Sequence, residues 1–163
     1  MKGLAKFIVV FLIIISVLVT VRLICRDSPN KNLTKVIRVI DGDTIIVNLE
    51  GKDESVRLIG IDAPETGECF NKEATDEIKK LIAEKNIVLE SDSTQNNRDK
   101  YNRLLRYIFL EDNTFVNKIM IDEGFASEYT YLNSAYKYQT NFQESQKFAK
   151  TNNLGLWSSC PTQ

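Results

Sequence analysis

Four of the carboxylates between residues 41 and 65, together with the single arginine there, could form one chemical cluster, because in this region segments with the pattern of strands alternate with turns. The chain contains no histidine. Neither a Ser-His-Asp nor a Cys-His nucleophile can therefore form, and histidine-ligated zinc is excluded as well. Carboxylate oxygens favour hard cations such as Ca²⁺ or Mg²⁺. With arginines nearby, such a cation suits phosphoester chemistry. The five residues are Asp41, Asp43, Arg57, Asp62 and Glu65.

The three cysteines, Cys25, Cys69 and Cys160, lack the spacing of zinc ligands. Cys69 and Cys160 are the only cysteines beyond the apolar N-terminal segment. In an exported domain they would form a disulfide by elimination. The alternative is a pair of buried free thiols.

The N-terminal segment, residues 1–25, is predicted to be a signal-anchor or a signal peptide. Lys2 and Lys6 precede an apolar run over residues 7–21. That length suits a signal peptide and is short for a spanning helix, which needs about 20 residues. Because no small-residue cleavage site follows, we expect an uncleaved anchor, with cleavage and secretion as the alternative and a buried core helix as a third interpretation. The two lysines predict a single-pass protein of the cell membrane whose main domain is extracellular.

Residues 26–34 are polar and are predicted to be a linker, and residues 35–163 have the size of one domain. Three of the 21 basic residues lie in residues 1–25, which leaves 18 against 22 acidic residues in the exported part, a net charge of −4. This balance argues against a broad basic surface for nucleic acid but allows a local basic pocket. Four basic residues in a short run could form such a pocket or a solvated strand face: Arg98, Lys100, Arg103 and Arg106.

Hydrophobic periodicity predicts five short strands and three helices. Alternation on both sides of Asp41-Gly42 predicts a hairpin over 35–49, and helical spacing of apolar residues predicts a helix over 71–84. Strands with helices inserted late favour an α+β, mainly β, domain built on a small barrel over a doubly wound sheet. The other predicted strands span 55–61, 87–90 and 104–110, and the other predicted helices span 115–123 and 142–151.

Three strings of sequence resemble one known family in their order and spacing: IDGDTIIV at 40–47, RLIGIDAPET at 57–66 and DKYNRLLRY at 99–107. The family is that of the staphylococcal-type thermonucleases (micrococcal nuclease-like), and the resemblance extends over residues 35–157. It implies an oligonucleotide-binding (OB-fold) five-stranded barrel with three helices. It also implies Ca²⁺-dependent endonuclease activity, the hydrolysis of phosphodiester bonds in DNA and RNA.

The resemblance also implies a role for individual residues. Asp43 and Asp62 would bind Ca²⁺ through their carboxylates, and the backbone carbonyl of Ala63 would add a third oxygen. Many relatives have threonine at this last position, which a main-chain ligand should tolerate. Glu65 would orient or deprotonate the attacking water, and Asp41 would support the metal ligands from behind.

The remaining implied roles concern the substrate. Arg57 and Arg103 would hold the scissile phosphate, since a guanidinium can bind two phosphate oxygens at once. Lys100, Tyr129 and Tyr131 would contact nucleotide phosphate and base. Aromatic walls suit unpaired bases, so we expect a preference for single-stranded or unpaired regions of DNA and RNA. We expect a monomer by default.

Taken singly, these residues also have simpler interpretations. Asp41-Gly42 forms a turn in any case, Arg57 could be an edge charge, and Glu65 could be solvated. The alternatives to a nuclease are an inactive OB-fold module that binds nucleic acid at the cell surface and a structural surface domain. An inactive barrel would be free to lose its carboxylates, so their joint presence favours the nuclease.

One segment of the predicted domain is an insertion between Glu65 and the first predicted helix. Residues 66–71, TGECFN, follow Glu65 and carry Cys69. A disulfide to Cys160 would tether this segment beside the predicted site. We therefore expect reduction to loosen the segment and to weaken activity.

Overall fold

The computed structural model describes residues 32–160. This part of the chain contains seven strands and four α-helices. The strands are β1 (Leu33–Val39), β2 (Thr44–Leu49), β3 (Lys52–Leu58), β4 (Ile61–Asp62), β5 (Asn86–Glu90), β6 (Leu104–Leu110) and β7 (Ser127–Glu128). The helices are α1 (Asn71–Ile82), α2 (Val116–Asp122), α3 (Gln139–Thr151) and α4 (Leu156–Ser159), and a 3₁₀ turn covers Tyr131–Asn133.

Five of the strands close into a barrel in the order β1-β2-β3-β6-β5, while β4 and β7 pair separately. All barrel neighbours are antiparallel except β3 and β6, which run parallel with Arg57 opposite Leu105. Alternate residues of each strand face inward, so that Val47 and Val56 are fully buried. The predicted α+β class, with a five-stranded barrel and three helices (α1, α2 and α3), is confirmed, and α4 is an additional helix of only four residues.

The helices cover the barrel with the residues that their apolar spacing predicted. Ala74, Ile78 and Ile82 recur every four residues along α1, and none of them is exposed to solvent. In the core, the Tyr107 ring packs edge-on against that of Tyr138, with ring centroids 4.7 Å apart. Such packing gives the barrel a rigid base on which the site loops rest.

The third strand differs from its prediction. We predicted one strand over 55–61, but β3 begins at Lys52 and ends at Leu58. Gly60 causes the break because its φ is +77°, a left-handed conformation that glycine adopts without strain. A Cβ atom at Gly60 would lie 2.7 Å from the Tyr136 side chain. The chain therefore leaves the barrel at this point, and Ile61–Asp62 pairs with β7 instead.

The ends of the other elements differ less. The last long helix, α3, begins three residues before its predicted start, and β1 begins at Leu33, inside the predicted linker. The predicted anchor or signal segment, residues 1–25, lies outside the described residues. Within residues 32–160, no helix is long and apolar enough to cross a membrane.

Candidate active site

The connection between β1 and β2 places Asp43. The carboxylate Oδ1 of Asp41 accepts a hydrogen bond from the Asp43 N–H at 3.0 Å, which closes a local turn. A Cβ atom at Gly42 would lie 2.6 Å from the Cβ atom of Ala63. Only glycine therefore lets this turn pack against Ala63, and this contact brings the predicted metal ligands of the two loops together.

The Asp43 carboxylate is buried and hydrogen-bonded, with only 4% of the residue exposed. It accepts hydrogen bonds from the Ala63 N–H at 2.9 Å and from the Thr44 hydroxyl at 3.0 Å, and its Oδ2 lies 3.0 Å from Nη2 of Arg57. Burial raises the pKa of Asp43 to about 6, although Arg57 and the Ala63 N–H favour the charged form. The site thus contains a carboxylate whose negative charge is incompletely compensated by the protein.

Arg57, near the end of β3, lies between the two predicted metal ligands. Its Nη2 is 3.0 Å from Oδ2 of Asp43 and 3.0 Å from Oδ1 of Asp62. Its Nη1 donates to the carbonyl oxygens of Leu58 at 2.8 Å and Ile61 at 2.6 Å. The chain thus curls around the guanidinium and holds it in one orientation, with both carboxylates on the same nitrogen.

The second arginine of the site, Arg103, directly precedes β6 and lines the same cleft as Arg57. Parallel pairing of β3 with β6 places Leu104 opposite Val56. Nη1 of Arg103 lies 3.5 Å from the hydroxyl of Thr44, which is paired with Arg57 across β2 and β3. The side-chain Nε of Arg103 donates to Oδ2 of Asp99 at 2.6 Å, and the main-chain N–H of Arg103 donates to Oδ1 of the same carboxylate at 2.9 Å. Asp99 therefore orients Arg103 from both the side chain and the main chain.

A cleft of about 640 Å³ opens above these groups. Most of the sequence-predicted site residues line it together: Arg57, Asp62, Glu65, Lys100, Arg103, Tyr129 and Tyr131. Three predicted residues are not among its lining residues. Asp43 is buried and forms an ion pair with Arg57. Asp41 accepts a hydrogen bond from the main chain of Asp43. Ala63 lines a neighbouring groove.

Tyr101 also lines the cleft and was missed by the sequence analysis. It is 68% exposed, and the Lys100 Nζ lies 4.9 Å from its ring centroid. The signal was available in the string DKYNRLLRY, where an aromatic residue stands between Lys100 and Arg103. With Tyr129 and Tyr131, it gives the cleft three exposed aromatic rings beside a basic wall.

Few oxygen atoms near Asp43 could bind a metal ion. Within residues 32–160, no three acidic, histidine or cysteine side chains gather into a ready metal cluster. The two carboxylates of Asp43 and Asp62 remain, together with the main chain at Ala63, whose carbonyl accepts no hydrogen bond from the described residues. Their predicted role as metal ligands stays a prediction.

The predicted cysteine pair is joined in the structure. A disulfide links Cys69 to Cys160, with the two Cα atoms 5.8 Å apart. Cys69 lies in the segment that follows Glu65, so the bond ties this segment to the C-terminal end of the described chain. The Glu65 side chain itself is exposed at the mouth of the cleft.

A small closed barrel with two oriented arginines, two adjacent carboxylates and an aromatic-lined cleft defines a protein that binds and acts on phosphodiesters. The family model "Staphylococcal nuclease homologue" matches residues 55–159. The chain belongs to this family, as its motifs indicated, and it is a nuclease that hydrolyses phosphodiester bonds.

Curated relatives agree with this assignment. The chain is 38% identical over 138 residues to "Thermonuclease" of Staphylococcus hyicus, covering 81% of this chain and 79% of the relative. It is 39% identical over 128 residues to "Thermonuclease" of Staphylococcus intermedius, covering 75% and 74%. It is 33% identical over 132 residues to "Micrococcal nuclease" of Shigella flexneri, covering 76% and 72%.

Proposed function

We propose that this nuclease is a Ca²⁺-dependent endonuclease that cleaves DNA and RNA, prefers unpaired regions, and acts outside the cell while tethered to the membrane. One observation carries the catalytic part of the proposal. The carboxylates of Asp43 and Asp62 both lie 3.0 Å from Nη2 of Arg57. Glu65 and Arg103 line the same cleft as Arg57.

The donor set fits a hard cation. Asp43 and Asp62 would contribute carboxylate oxygens, and Ala63 its main-chain carbonyl, while water or substrate phosphate would supply the rest of the six to eight oxygens that Ca²⁺ takes. The raised pKa of Asp43 supports this fit, because a cation would stabilise the buried carboxylate in its charged form. When bound, Ca²⁺ would neutralise negative charge on the reacting phosphate.

Each protein group then has a distinct part in hydrolysis. Arg57 and Arg103 bind phosphate oxygens and stabilise the charge that develops on them. Glu65 orients the attacking water or accepts its proton as the new P–O bond forms. The P–O bond to the departing sugar oxygen breaks, and that oxygen takes up a proton from solvent water. Asp99 keeps Arg103 aligned throughout.

The tyrosines support a preference for unpaired substrate. Tyr101, Tyr129 and Tyr131 are 68%, 41% and 50% exposed, and all three line the cleft. An exposed ring can stack on any base, but only when that base is free of its partner strand. Lys100 adds a positive charge for the backbone phosphates. None of these proposed contacts requires a 2′-hydroxyl, so both DNA and RNA are expected to be substrates.

Calcium dependence can be tested with the full chain in detergent. We expect cleavage of a single-stranded oligonucleotide with Ca²⁺, loss of cleavage with excess chelator, and at least tenfold weaker Ca²⁺ binding by calorimetry in Asp43→Asn. Asp53→Asn is the matched control because Asp53 lies at the exposed start of β3. Undiminished cleavage in chelator would refute the calcium requirement. Equal rates on a hairpin stem and its loop would refute the preference for unpaired regions.

The proposed location rests on the N-terminal sequence and on the disulfide. Lys2 and Lys6 before the apolar run predict an outward-facing domain, and the Cys69–Cys160 bond fits an oxidising compartment. Protease added to intact cells should digest the nuclease domain, and the undigested protein should sediment with membranes. Nuclease in the medium would indicate leader cleavage, and a protease-resistant domain inside the cells would refute export.

A further inference from the structure

The main chain at Glu65 is held by a reciprocal pair of hydrogen bonds. The Glu68 N–H donates to the Glu65 carbonyl at 2.9 Å, and the Glu65 N–H donates to Oε2 of Glu68 at 2.7 Å. Gly67 occupies the third position of this turn with φ of +93°, which a type II turn requires. Both main-chain polar groups of Glu65 are therefore bound by Glu68.

Asn71 fixes the residue before Glu65. It is the first residue of α1, and its Nδ2 donates to the Pro64 carbonyl at 2.7 Å. Because α1 is anchored in the core through Ala74 and Ile78, which are fully buried, this bond ties the Pro64–Glu65 segment to a rigid element.

The far side of the turn is tied to the C-terminal end of the described chain. The disulfide joins Cys69 to Cys160, directly after α4. The ring of Phe70 stacks on that of Phe125, with centroids 5.7 Å apart and an interplanar angle of 27°. Residues 66–70, which we call the clamp turn, are thus restrained at several points between Glu65 and α1.

The Glu65 carboxylate has no hydrogen-bond or ion-pair partner among residues 32–160. No side-chain contact fixes this carboxylate, so the region that it can reach depends on where the main chain places Cα and Cβ of Glu65. A displacement of about 1 Å at a reacting group can cost on the order of 10²-fold in rate. The hydrogen bonds that hold this main chain are consequently expected to affect turnover, although they lie at the surface.

We propose that Glu68 and Asn71 are positioning residues that aim Glu65 at the attacking water, and that the Cys69–Cys160 disulfide keeps the clamp turn in the active geometry. The inference rests on the proposed role of Glu65. Neither Glu68 nor Asn71 is assigned any contact with the substrate. Their effect is transmitted entirely through the main chain of Pro64 and Glu65.

Kinetics on the oxidised full chain test the two side chains. We expect Glu68→Ala to lower kcat tenfold or more with KM nearly unchanged, and Asn71→Ala to act in the same direction. Glu68→Gln should restore most of kcat, because an amide oxygen can accept the Glu65 N–H as the carboxylate does. The matched control is Glu73→Ala, since Glu73 is exposed on α1. Unchanged kcat in Glu68→Ala, or no rescue by Glu68→Gln, would overturn the proposal.

Hydrogen exchange supplies a readout that does not depend on activity. The Glu65 amide should exchange at least tenfold faster in Glu68→Ala than in the wild type and should stay protected in Glu68→Gln. If the Glu65 amide exchanged equally fast in all three proteins, the proposal would be overturned even if their kcat values differed. If the wild-type protein cleaved no nucleic acid, the proposed function would fail, whereas the exchange experiment would still report on the clamp turn.

The disulfide is tested by reduction and by Cys160→Ser, which leaves the clamp turn intact in sequence. At a temperature where circular dichroism shows both proteins folded, each change should lower kcat several-fold. Ca²⁺ affinity should stay the same, because Asp43 and Asp62 are bound by Arg57 and not by the clamp turn. Cys25→Ser should respond to reductant as the wild type does. Equal kcat before and after reduction would overturn the role of the disulfide.

Discussion

Replacing Glu65 with glutamine is expected to lower kcat for single-stranded DNA cleavage by about 10²–10⁴-fold, the usual contribution of a general acid–base group. Glutamine has nearly the same shape but cannot take a proton from water. The clamp turn should survive, because Glu68 binds only the main chain of Glu65. Oligonucleotide affinity should therefore stay the same, since the phosphate contacts belong to the arginines. Single-turnover cleavage and fluorescence anisotropy measure the two quantities.

The isosteric control is Glu73→Gln, which removes one exposed carboxylate from the surface of α1. Its kcat should match that of the wild type. A Glu65→Gln protein that cleaved at the wild-type rate would show that another group activates the water. A variant that lost binding as well as turnover would show that Glu65 contributes to the substrate site itself.

Replacing Arg57 with lysine is expected to lower kcat by about 10²–10³-fold, the cost of losing one preorganised donor to a developing oxyanion. Lysine keeps the positive charge but has a single ammonium group. It cannot reach both Asp43 and Asp62 while donating to the carbonyls of Leu58 and Ile61, as the guanidinium does. The substrate phosphate would compete with these groups for one nitrogen.

The matched control for this substitution is Arg38→Lys, because Arg38 is exposed on β1 and does not line the cleft. Thermal melting of both variants separates folding from catalysis, since Arg57 also compensates the buried charge of Asp43. We expect Arg57→Lys to melt at a lower temperature than the wild type yet to be folded at the assay temperature. Wild-type kcat in folded Arg57→Lys would contradict a role for the guanidinium fork.

Local patterns allowed much of the barrel to be predicted. The hairpin around Asp41-Gly42 and the strand over 104–110 follow from alternation of side chains, which depends only on neighbours along the chain. The break at Gly60 could not be predicted in this way. Gly60 has a positive φ there, and a Cβ atom would lie 2.7 Å from Tyr136, a residue distant in sequence whose position depends on the completed fold.

For the site, the order and spacing of three short motifs were enough to select the family, and most of the residues that this resemblance assigned to the site line one cleft. The absence of histidine excluded histidine-activated nucleophiles and histidine-ligated zinc without any structure. These conclusions depend on residue types, which chemistry restricts directly. Tyr101 was overlooked because a single exposed tyrosine carries no periodic signal.

The sequence by itself determined the available chemistry, the family and the local strands, because each depends on residue identity or on spacing over a few positions. Only the tertiary structure decided that Arg103 lines the same cleft as Arg57, that one nitrogen of Arg57 binds two carboxylates, and that Glu68 holds the main chain of Glu65. The physical reason is that distances between groups far apart along the chain are set by barrel closure and core packing, which no short window of sequence contains.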